Sequence, residues 1–257
     1  MTPGIEVNDS SLPLRRDVKM LGNILGEILV YHGGVELLDK VEKIRLMCKT
    51  LRNGDDNETY SELKEEIALL SMPMRKNVIR AFSVYFHLIN VAEQNHRIRR
   101  RRDYLLQSDI SAQPGSIEAA ILSLKENQIT ADIIQDVLNT LSLELIITAH
   151  PTESTKRSIL EIQKRIADLL KSLDNPLLSR KERGKLEASL YNDVSVLWQT
   201  DELRDRKPTV MDEVRNGLYY FDKTLFDVLP EIHQEVEASL TEHFSEHEWN
   251  VPHFLRF

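Results

Sequence analysis

The residue best suited to chemistry in this chain is a histidine that stands between two different backbone patterns. His150 lies in Thr148-Ala149-His150-Pro151-Thr152, after a short run of apolar and β-branched residues and before a segment with helical spacing. An imidazole has an ordinary pKa of about 6.5, so it can accept a proton at neutral pH and, once charged, steady a neighbouring anion. Strand ends that lead into helices are places where αβ folds assemble active sites. His150 is therefore the candidate catalytic residue.

The residues that follow His150 could form an anion site. Pro151 excludes helical geometry at His150 and suits the first turn of a helix that would follow directly. The free amides of a helix start attract phosphate or carboxylate groups. Hydroxyl and cationic side chains stand nearby: Thr152, Ser154, Thr155, Lys156 and Arg157. The same residues also fit a helix cap that binds no substrate, and the spacing alone leaves both interpretations open.

The elements that must position His150 are mostly helices. The chain has only nine glycines and nine prolines in 257 residues, and most segments between them carry apolar residues at helical spacing. Gly33-Gly34 interrupts one such pattern, so two helices are expected to meet there. A further helix is predicted from a stripe of residues three or four apart: Val78, Phe82, Tyr85, Phe86, Ile89, Ala92 and His96.

The exception to this helical pattern is the short run Leu143–Thr148, which is rich in β-branched residues and predicts a buried strand. The expected organisation is a single, mostly helical unit over residues 1–257. It consists of a helical region at 1–142, the strand at 143–149 and a second helical region at 150–257.

Composition limits the classes of partner. The net charge of −8, from 33 Lys and Arg against 41 Asp and Glu, disfavours nonspecific binding to nucleic acid or to an anionic membrane. No apolar stretch approaches the roughly 18 residues of a membrane span, and the start of the chain has no signal-peptide pattern. Cys48 is the only cysteine and is predicted to be a buried, inert thiol. A cytoplasmic location is the resulting expectation.

Two other groups of residues could bind ligands, but each has a simpler interpretation. The basic run Arg97–Arg102 is predicted to be the solvated end of a helix, because no aromatic residues are interleaved with it. His243 and His247 are four residues apart, but they lack the His-Glu-x-x-His order of a zinc protease and are predicted to be surface residues. Trp198, in a charged segment, is predicted to pack inward.

Several stretches in the same order resemble the phosphoenolpyruvate carboxylase family. The segment Leu143–Ser154 looks like the family's strand that delivers a catalytic histidine, here His150. Four more stretches resemble that family and extend the likeness over nearly the whole chain. They are Met20–Glu27, Arg80–Ser83 with Ala92–His96, Leu197–Arg204, and Pro208-Thr209 with Asp212–Gly217.

The resemblance implies a fold and a reaction. The fold would be mainly α, a helical N-terminal region plus the first strand of an incomplete (β/α)8 barrel of the phosphoenolpyruvate carboxylase type. The activity would be the Mg²⁺-dependent carboxylation of phosphoenolpyruvate by bicarbonate, which yields oxaloacetate and phosphate through carboxyphosphate and the enolate of pyruvate. His150 would hold carboxyphosphate and take its proton. A homotetramer is expected of the family.

Members of that family are much longer than this chain. The resemblance implies that the metal ligands, the anion-binding arginines and the effector sites lie in a portion beyond Phe257. One strand cannot close a barrel, so the predicted strand would need to be covered by helices or by another chain. The expectation is an inactive chain when alone. The alternative is a helical interaction or scaffold protein derived from the family that has lost catalysis.

Overall fold

A computed structural model describes residues 11–54, 57–106, 112–146, 156–202 and 209–256. Within them the chain is mainly helical, which confirms the predicted class. The first helices are α1 (Leu12–Asn53), α2 (Asn57–Leu69), α3 (Met72–Leu106), α4 (Ile117–Glu126) and α5 (Ala131–Thr140). Strand β1 (Leu143–Glu144) follows. The remaining elements are α6 (Arg157–Leu173), α7 (Arg180–Gln199), α8 (Val210–Tyr220), a π-helical turn (Phe221–Leu225), α9 (Phe226–His243) and strand β2 (Leu255–Arg256).

The predicted break at the glycine pair is present inside α1. Gly34 has φ 78° and ψ 169°, a conformation that residues with a Cβ atom adopt only under strain, and it separates two helical halves. Gly33 serves a different purpose, because a Cβ atom there would lie 2.3 Å from Cδ2 of Leu37. Leu37 is fully buried. The two glycines thus allow the chain to bend and the second half of α1 to pack closely.

Two compact units make up the chain, and each combines separate segments. Met1–Arg99 and Thr155–Leu203 form the first unit, and Arg100–Ser154 and Arg204–Phe257 form the second. This division differs from the single unit with limits at 142 and 149 that the sequence predicts. Helical periodicity shows where each helix lies, but the grouping of helices depends on apolar contacts between residues far apart in the chain.

The core of the first unit is formed by α1, α2, α3, α6 and α7. On α3 the buried side chains are Val78, Ala81, Val84, Leu88, Val91, Ala92 and Asn95. The predicted stripe is therefore wrong by about one residue: Phe86 is 59% exposed, whereas the polar Asn95 is buried. This part of α3 has so many apolar residues that two neighbouring faces of the helix each carry an apolar stripe. The face with small and branched side chains is the one that packs inward.

Cys48 is exposed, so the prediction of a buried thiol is wrong. Val41 and Ile44 are buried on the same half of α1, but Leu46 is 52% exposed and the last turns of the helix carry no buried residue beyond Ile44. The apolar stripe thus continues in the sequence past the point where the core ends.

The core of the second unit is smaller. It consists of Ile121 on α4, Ile134 and Leu138 on α5, and Leu240 on α9. The chain after α9 returns to this core, where Trp249 lies edge-on to Phe244 at 5.9 Å between ring centroids. Beyond it comes β2, which contributes to the only sheet among the described residues.

The predicted strand is present but shorter, more exposed and differently partnered than expected. β1 covers Leu143–Glu144, and the flanking Leu145 and Ile146 are 46% and 80% exposed, so the expectation of a buried strand is wrong for these residues. The expectation that the strand has no strand partner is also wrong. β1 pairs in parallel with β2, with Leu143 opposite Leu255 and Glu144 opposite Arg256. Residues 147–149 lie outside the described residues.

Pro230 lies inside α9, downstream of an irregular turn. Proline has no amide hydrogen and its ring crowds the preceding turn, so the regular ladder is disrupted there. The π-helical turn Phe221–Leu225 lies just upstream, and the Phe226 amide donates to the carbonyl of Phe221. The sequence predicts a kink or restart at Pro230, and the structure shows a helix that continues after this wider turn.

Among the described residues, no helix combines the length and the apolar character that a membrane crossing requires.

Candidate functional site

His150 and its neighbours from 147 to 155 lie outside the described residues, so the candidate site is known through the elements on either side. β1 ends at Glu144, six residues before the histidine, and α6 begins at Arg157, seven residues after it. The sequence predicts Thr152, Ser154 and Thr155 as possible anion donors, and these residues are also outside the described part. β1 belongs to the second unit and α6 to the first, so each of these elements is described within its own unit.

β1, the described element that precedes His150 in the chain, pairs in parallel with β2. The amide of Leu143 donates a 2.7 Å hydrogen bond to the carbonyl of Phe254, whose side chain is buried. Because the strands are parallel, the chain that runs on from Glu144 toward His150 leaves the sheet at the same edge as the chain that runs on from Arg256. In parallel sheets this carboxyl edge is where ligands bind.

α6 begins at Arg157 and buries Ile159, Ile162 and Ile166. Lys156, just before it, has φ −57° and ψ 137°, an extended conformation. The predicted helix start at Pro151 lies outside the described residues. The Lys156 side chain makes no capping hydrogen bond, and Arg157 forms a 2.8 Å ion pair with Glu161 one turn later. Arg157 thus interacts with a residue of its own helix.

The basic run on α3 is only partly solvated, so the prediction fails for one of its members. Arg99 is 15% exposed and hydrogen-bonds Asp17 and Asp174. Further along, the Arg100 guanidinium lies 5.1 Å from the ring centroid of Tyr104, and Arg101 forms a 2.8 Å ion pair with Glu235. A run whose cations are engaged within the fold offers few charges to an external anion.

The histidines near the end of the chain contact their own unit. His233 Nε2 donates a 2.8 Å hydrogen bond to the carbonyl of Val251. Because a carbonyl oxygen can only accept, the ring proton of His233 is on Nε2. His243 is 15% exposed with Nε2 3.9 Å from Glu118, which differs from the predicted surface position. His247 packs on Trp249 at 4.5 Å. A cavity of about 320 Å³ lies beside His233 and His253 and is mainly apolar in its lining.

Across the described ranges there is no cluster of three or more His, Cys, Asp or Glu residues placed to hold a metal ion. Mg²⁺ prefers near-octahedral oxygen ligands, commonly one or two carboxylates with waters and substrate phosphate. The described residues therefore offer no fitting protein-built site for the Mg²⁺ that the family resemblance implies.

A groove of about 1220 Å³ in the first unit is the other concave surface of note. Its floor includes Leu25 and Leu29 of α1, with Phe82 and Tyr85 of α3 along one side. Gly22 also lines it, and a Cβ atom there would lie 3.9 Å from the Tyr85 ring. The groove contains no residue from β1 or α6, so it is separate from the elements that flank His150.

Trp198 packs inward at 7% exposure, as predicted. Just after Trp198, Glu202 accepts a 2.6 Å hydrogen bond from Ser83 Oγ of α3, and His87 Nε2 lies 3.7 Å from its other carboxylate oxygen. The sequence analysis did not predict these contacts. The available signal was the spacing of Arg80, Ser83 and His87, which places three polar residues on one face of α3.

These observations define a class of protein: a mainly α-helical chain in which a parallel strand pair is separated by several helices, with a histidine following the first strand. The sequence model of the family described as phosphoenolpyruvate carboxylase matches residues 14–257. The chain belongs to the phosphoenolpyruvate carboxylase family.

Individual relatives agree with this assignment. The phosphoenolpyruvate carboxylase of Roseiflexus castenholzii is 38% identical over 246 residues, which are 95% of this chain and 26% of the relative. That of Burkholderia vietnamiensis is 37% identical over 236 residues, or 91% of this chain and 24% of the relative. That of Rhodothermus marinus is 34% identical over 241 residues, which are 93% of this chain and 26% of the relative. The chain thus spans about a quarter of the length of the curated relatives it matches.

Proposed function

We propose that this chain is the N-terminal, histidine-bearing part of a phosphoenolpyruvate carboxylase, active only together with the remaining three-quarters of the polypeptide that its relatives carry. The family membership supports the reaction class, and the partial coverage of the relatives supports the need for more chain. The observation that carries the proposal is the parallel pairing of β1 with β2, since β1 leads toward His150.

The strand pair is the start of an incomplete (β/α)8 barrel in this proposal. A parallel pair requires a long crossover connection, and here that connection runs through α6, α7, α8 and α9. Each strand has only two residues, so most of the backbone groups lack the strand partners that a closed barrel provides. The apolar side chains of Leu143, Leu145 and Ile146 are also exposed. Further strands and helices from the remaining polypeptide would supply this cover.

The reaction that we propose for the complete enzyme conserves atoms and charge in three steps. An oxygen of bicarbonate attacks the phosphorus of phosphoenolpyruvate, and the enolate of pyruvate leaves, which gives carboxyphosphate. His150 holds carboxyphosphate and accepts its proton while the bond between the carboxyl carbon and the phosphate oxygen breaks, releasing CO₂ and phosphate. The enolate carbon then forms a bond to CO₂, giving oxaloacetate. A neutral imidazole suits this proton transfer at neutral pH.

Mg²⁺ enters the proposal only as a requirement of the complete enzyme, with ligands outside the described residues of this chain. The homotetramer, the cytoplasmic location, and the absence of nucleic-acid and membrane partners likewise stand as expectations for that enzyme. Light scattering on the complete enzyme tests the tetramer.

The decisive experiment is fragment complementation. This chain is coexpressed with the C-terminal portion of the Roseiflexus castenholzii relative, beginning at the residue aligned after Phe257, and the copurified pair is assayed for oxaloacetate with phosphoenolpyruvate, bicarbonate and Mg²⁺. We expect activity from the pair, none from either part alone, and a loss of at least about 100-fold with His150→Asn, since a positioned acid–base group contributes about 100-fold or more.

Two results would contradict the proposal. Oxaloacetate production by this chain alone, abolished by His150→Asn, would show that the remaining polypeptide is not needed. A pair that copurifies but stays inactive, next to an active pair built from the relative's own N-terminal portion, would favour the catalytically inactive scaffold.

A further inference from the structure

The apolar face of α8 lies on the surface of the second unit. None of the residues of α8, all of which the structure describes, is buried. Four apolar side chains of this helix are between 46% and 75% exposed: Val210, Met211, Val214 and Leu218. They recur three or four residues apart, so they form one stripe along the helix, which we name the α8 stripe.

Local signals specify α8 without help from packing. The Thr209 hydroxyl accepts a hydrogen bond from the amide of Asp212, and the Asp212 carboxylate accepts one of 3.0 Å from the amide of Thr209. This reciprocal cap satisfies two amides at the start of the helix. An isolated helix of this length is nonetheless marginal in water, because most helices gain their stability by burying an apolar face. The α8 stripe is such a face, and in this chain it is exposed.

The core of the second unit does not include α8. Among the described residues, α8 contributes neither a buried side chain to that core nor a partly buried apolar one packed against it. The exposed apolar surface continues past the π-helical turn, where Phe226 is 79% exposed. Exposed apolar side chains that line up in this way mark an interaction surface, unlike single apolar residues scattered over a protein.

The borders of the stripe are charged. Glu213 and Arg215 are both exposed, and helical geometry places one on each side of the stripe. An apolar centre with a polar rim is the usual arrangement of a protein interface. The surface that covers the stripe should therefore present apolar side chains to its centre and polar groups to its borders.

A second copy of this chain would bury too little surface through the stripe. A helix of this length is about 16 Å long and one face is about 10 Å wide, so the stripe covers about 160 Å². Two copies would bury about 320 Å² in total, whereas a specific interface needs about 1,000 Å² or more. The relatives carry about three-quarters of their length outside the matched region, which is enough polypeptide to cover the stripe within a much larger interface.

We propose that the α8 stripe is a docking surface for the remaining polypeptide of the enzyme, which covers it with an apolar face of a helix or sheet. The choice of this partner rests on the proposed function. The docking itself is measured without any reaction, so the two proposals can fail separately.

Hydrogen exchange followed by mass spectrometry tests the docking in the copurified pair described above. We expect amides 213–220 to exchange at least about tenfold more slowly in the pair than in this chain alone, because a helix whose apolar face is covered opens less often. This chain alone is measured at two concentrations, so that pairing with a second copy is detected.

A substitution in the stripe tests the apolar contact. Leu218→Gln keeps a good helix former and removes the apolar side chain, so it should weaken association of the pair about tenfold or more. Glu213→Gln places the same side chain at the border of the stripe and should change association by less than about twofold, since rim charges contribute little. Both variants should keep the circular dichroism spectrum and the urea midpoint of this chain.

Three results would overturn the docking proposal. The first is equal exchange of the α8 amides in the pair and in this chain alone, and the second is wild-type association of Leu218→Gln. The third is protection of α8 in this chain alone that rises with concentration, which would identify a second copy as the occupant. If the two parts do not associate, a single polypeptide that joins Phe257 to the same C-terminal portion replaces the pair, and unprotected α8 amides there would equally overturn the proposal.

The oxaloacetate assay on the same samples separates this proposal from the proposed function. Protected α8 amides in a pair that makes no oxaloacetate would support the docking and contradict the proposed function. Unprotected α8 amides in a pair that makes oxaloacetate would support the proposed function and overturn the docking.

Discussion

Arg99 on α3 donates a 2.7 Å hydrogen bond to Asp17 on α1, and the carboxylate of Asp17 is only 4% exposed. The same guanidinium bonds Asp174 at the end of α6, at 2.9 and 3.0 Å. Burial alone would lower the pKa of Arg99, but its hydrogen bonds with the two carboxylates outweigh burial and raise that pKa. A nearly buried arginine thus joins three helices of the first unit.

Breaking this network should destabilise the first unit strongly. We expect Asp17→Asn to lower the free energy of unfolding by about 1.5 to 3 kcal/mol, because Arg99 loses one charged hydrogen-bond partner and keeps the other, Asp174. Urea denaturation followed by circular dichroism measures the change. Arg97→Ala, an exposed arginine two residues earlier on the same helix, is the control and should change stability by less than about 0.5 kcal/mol. Equal effects would contradict a structural role for the buried pair.

Two glycine-to-alanine substitutions should have opposite signs. Gly34→Ala should destabilise by about 1 to 3 kcal/mol, because the positive φ at the bend of α1 strains any residue with a Cβ atom. Gly184→Ala, inside α7 with open space around the added atom, should stabilise by about 0.5 to 1 kcal/mol. Thermal denaturation compares the two, and stabilisation by Gly34→Ala would show that the bend is not needed.

Acid should weaken the contact between α1 and α2 at Glu66. Lys40 chiefly, and Lys43 next, lower the pKa of Glu66 from its ordinary value of 4.5 by hydrogen bonds to its carboxylate. A carboxyl group with a lowered pKa in the folded state contributes stability above its ordinary pKa and loses it as pH falls through the lowered pKa. We expect stability measured from pH 7 down to pH 3 to fall less in Glu66→Gln than in the wild type.

Glu65→Gln provides the control for that comparison, because Glu65 is the exposed neighbour on the same helix. It should keep the pH profile of the wild type. If the pH profile of Glu66→Gln matches those of Glu65→Gln and the wild type, the ion pairs of Glu66 contribute nothing to stability.

The exposed apolar residue after β1 should matter only when the remaining polypeptide is present. Ile146→Ser should change the stability of this chain by less than about 0.5 kcal/mol, because Ile146 is 80% exposed. In the complemented pair it should weaken association about tenfold or more, since burying such a side chain is worth about 1.5 to 3 kcal/mol. Leu177→Ser, at an 88% exposed leucine in the loop before α7, is the control. Identical association of both variants would contradict the incomplete barrel.

Local patterns in the sequence predicted much of the fold correctly. The glycine pair marks the bend in α1, and the apolar residues at helical spacing correspond to the long helices of the described residues. These features depend on backbone preferences and on periodicity within one helix, both of which are readable from neighbouring residues. Family membership likewise came from ordered motifs.

Other features depended on contacts between distant parts of the chain. Tertiary packing decides which face of α3 turns inward and why Asn95 and Arg99 on that helix have little exposure. It also decides that β1 pairs with β2, which lies more than 100 residues later in the chain. The same holds for Arg80, which donates a hydrogen bond to the carbonyl of Trp198, 118 residues later in the chain. The sequence by itself determined the helices, their bends and the candidate His150, because those follow from local chemistry. The tertiary structure alone decided which polar residues meet, because burial and pairing are properties of the packed chain.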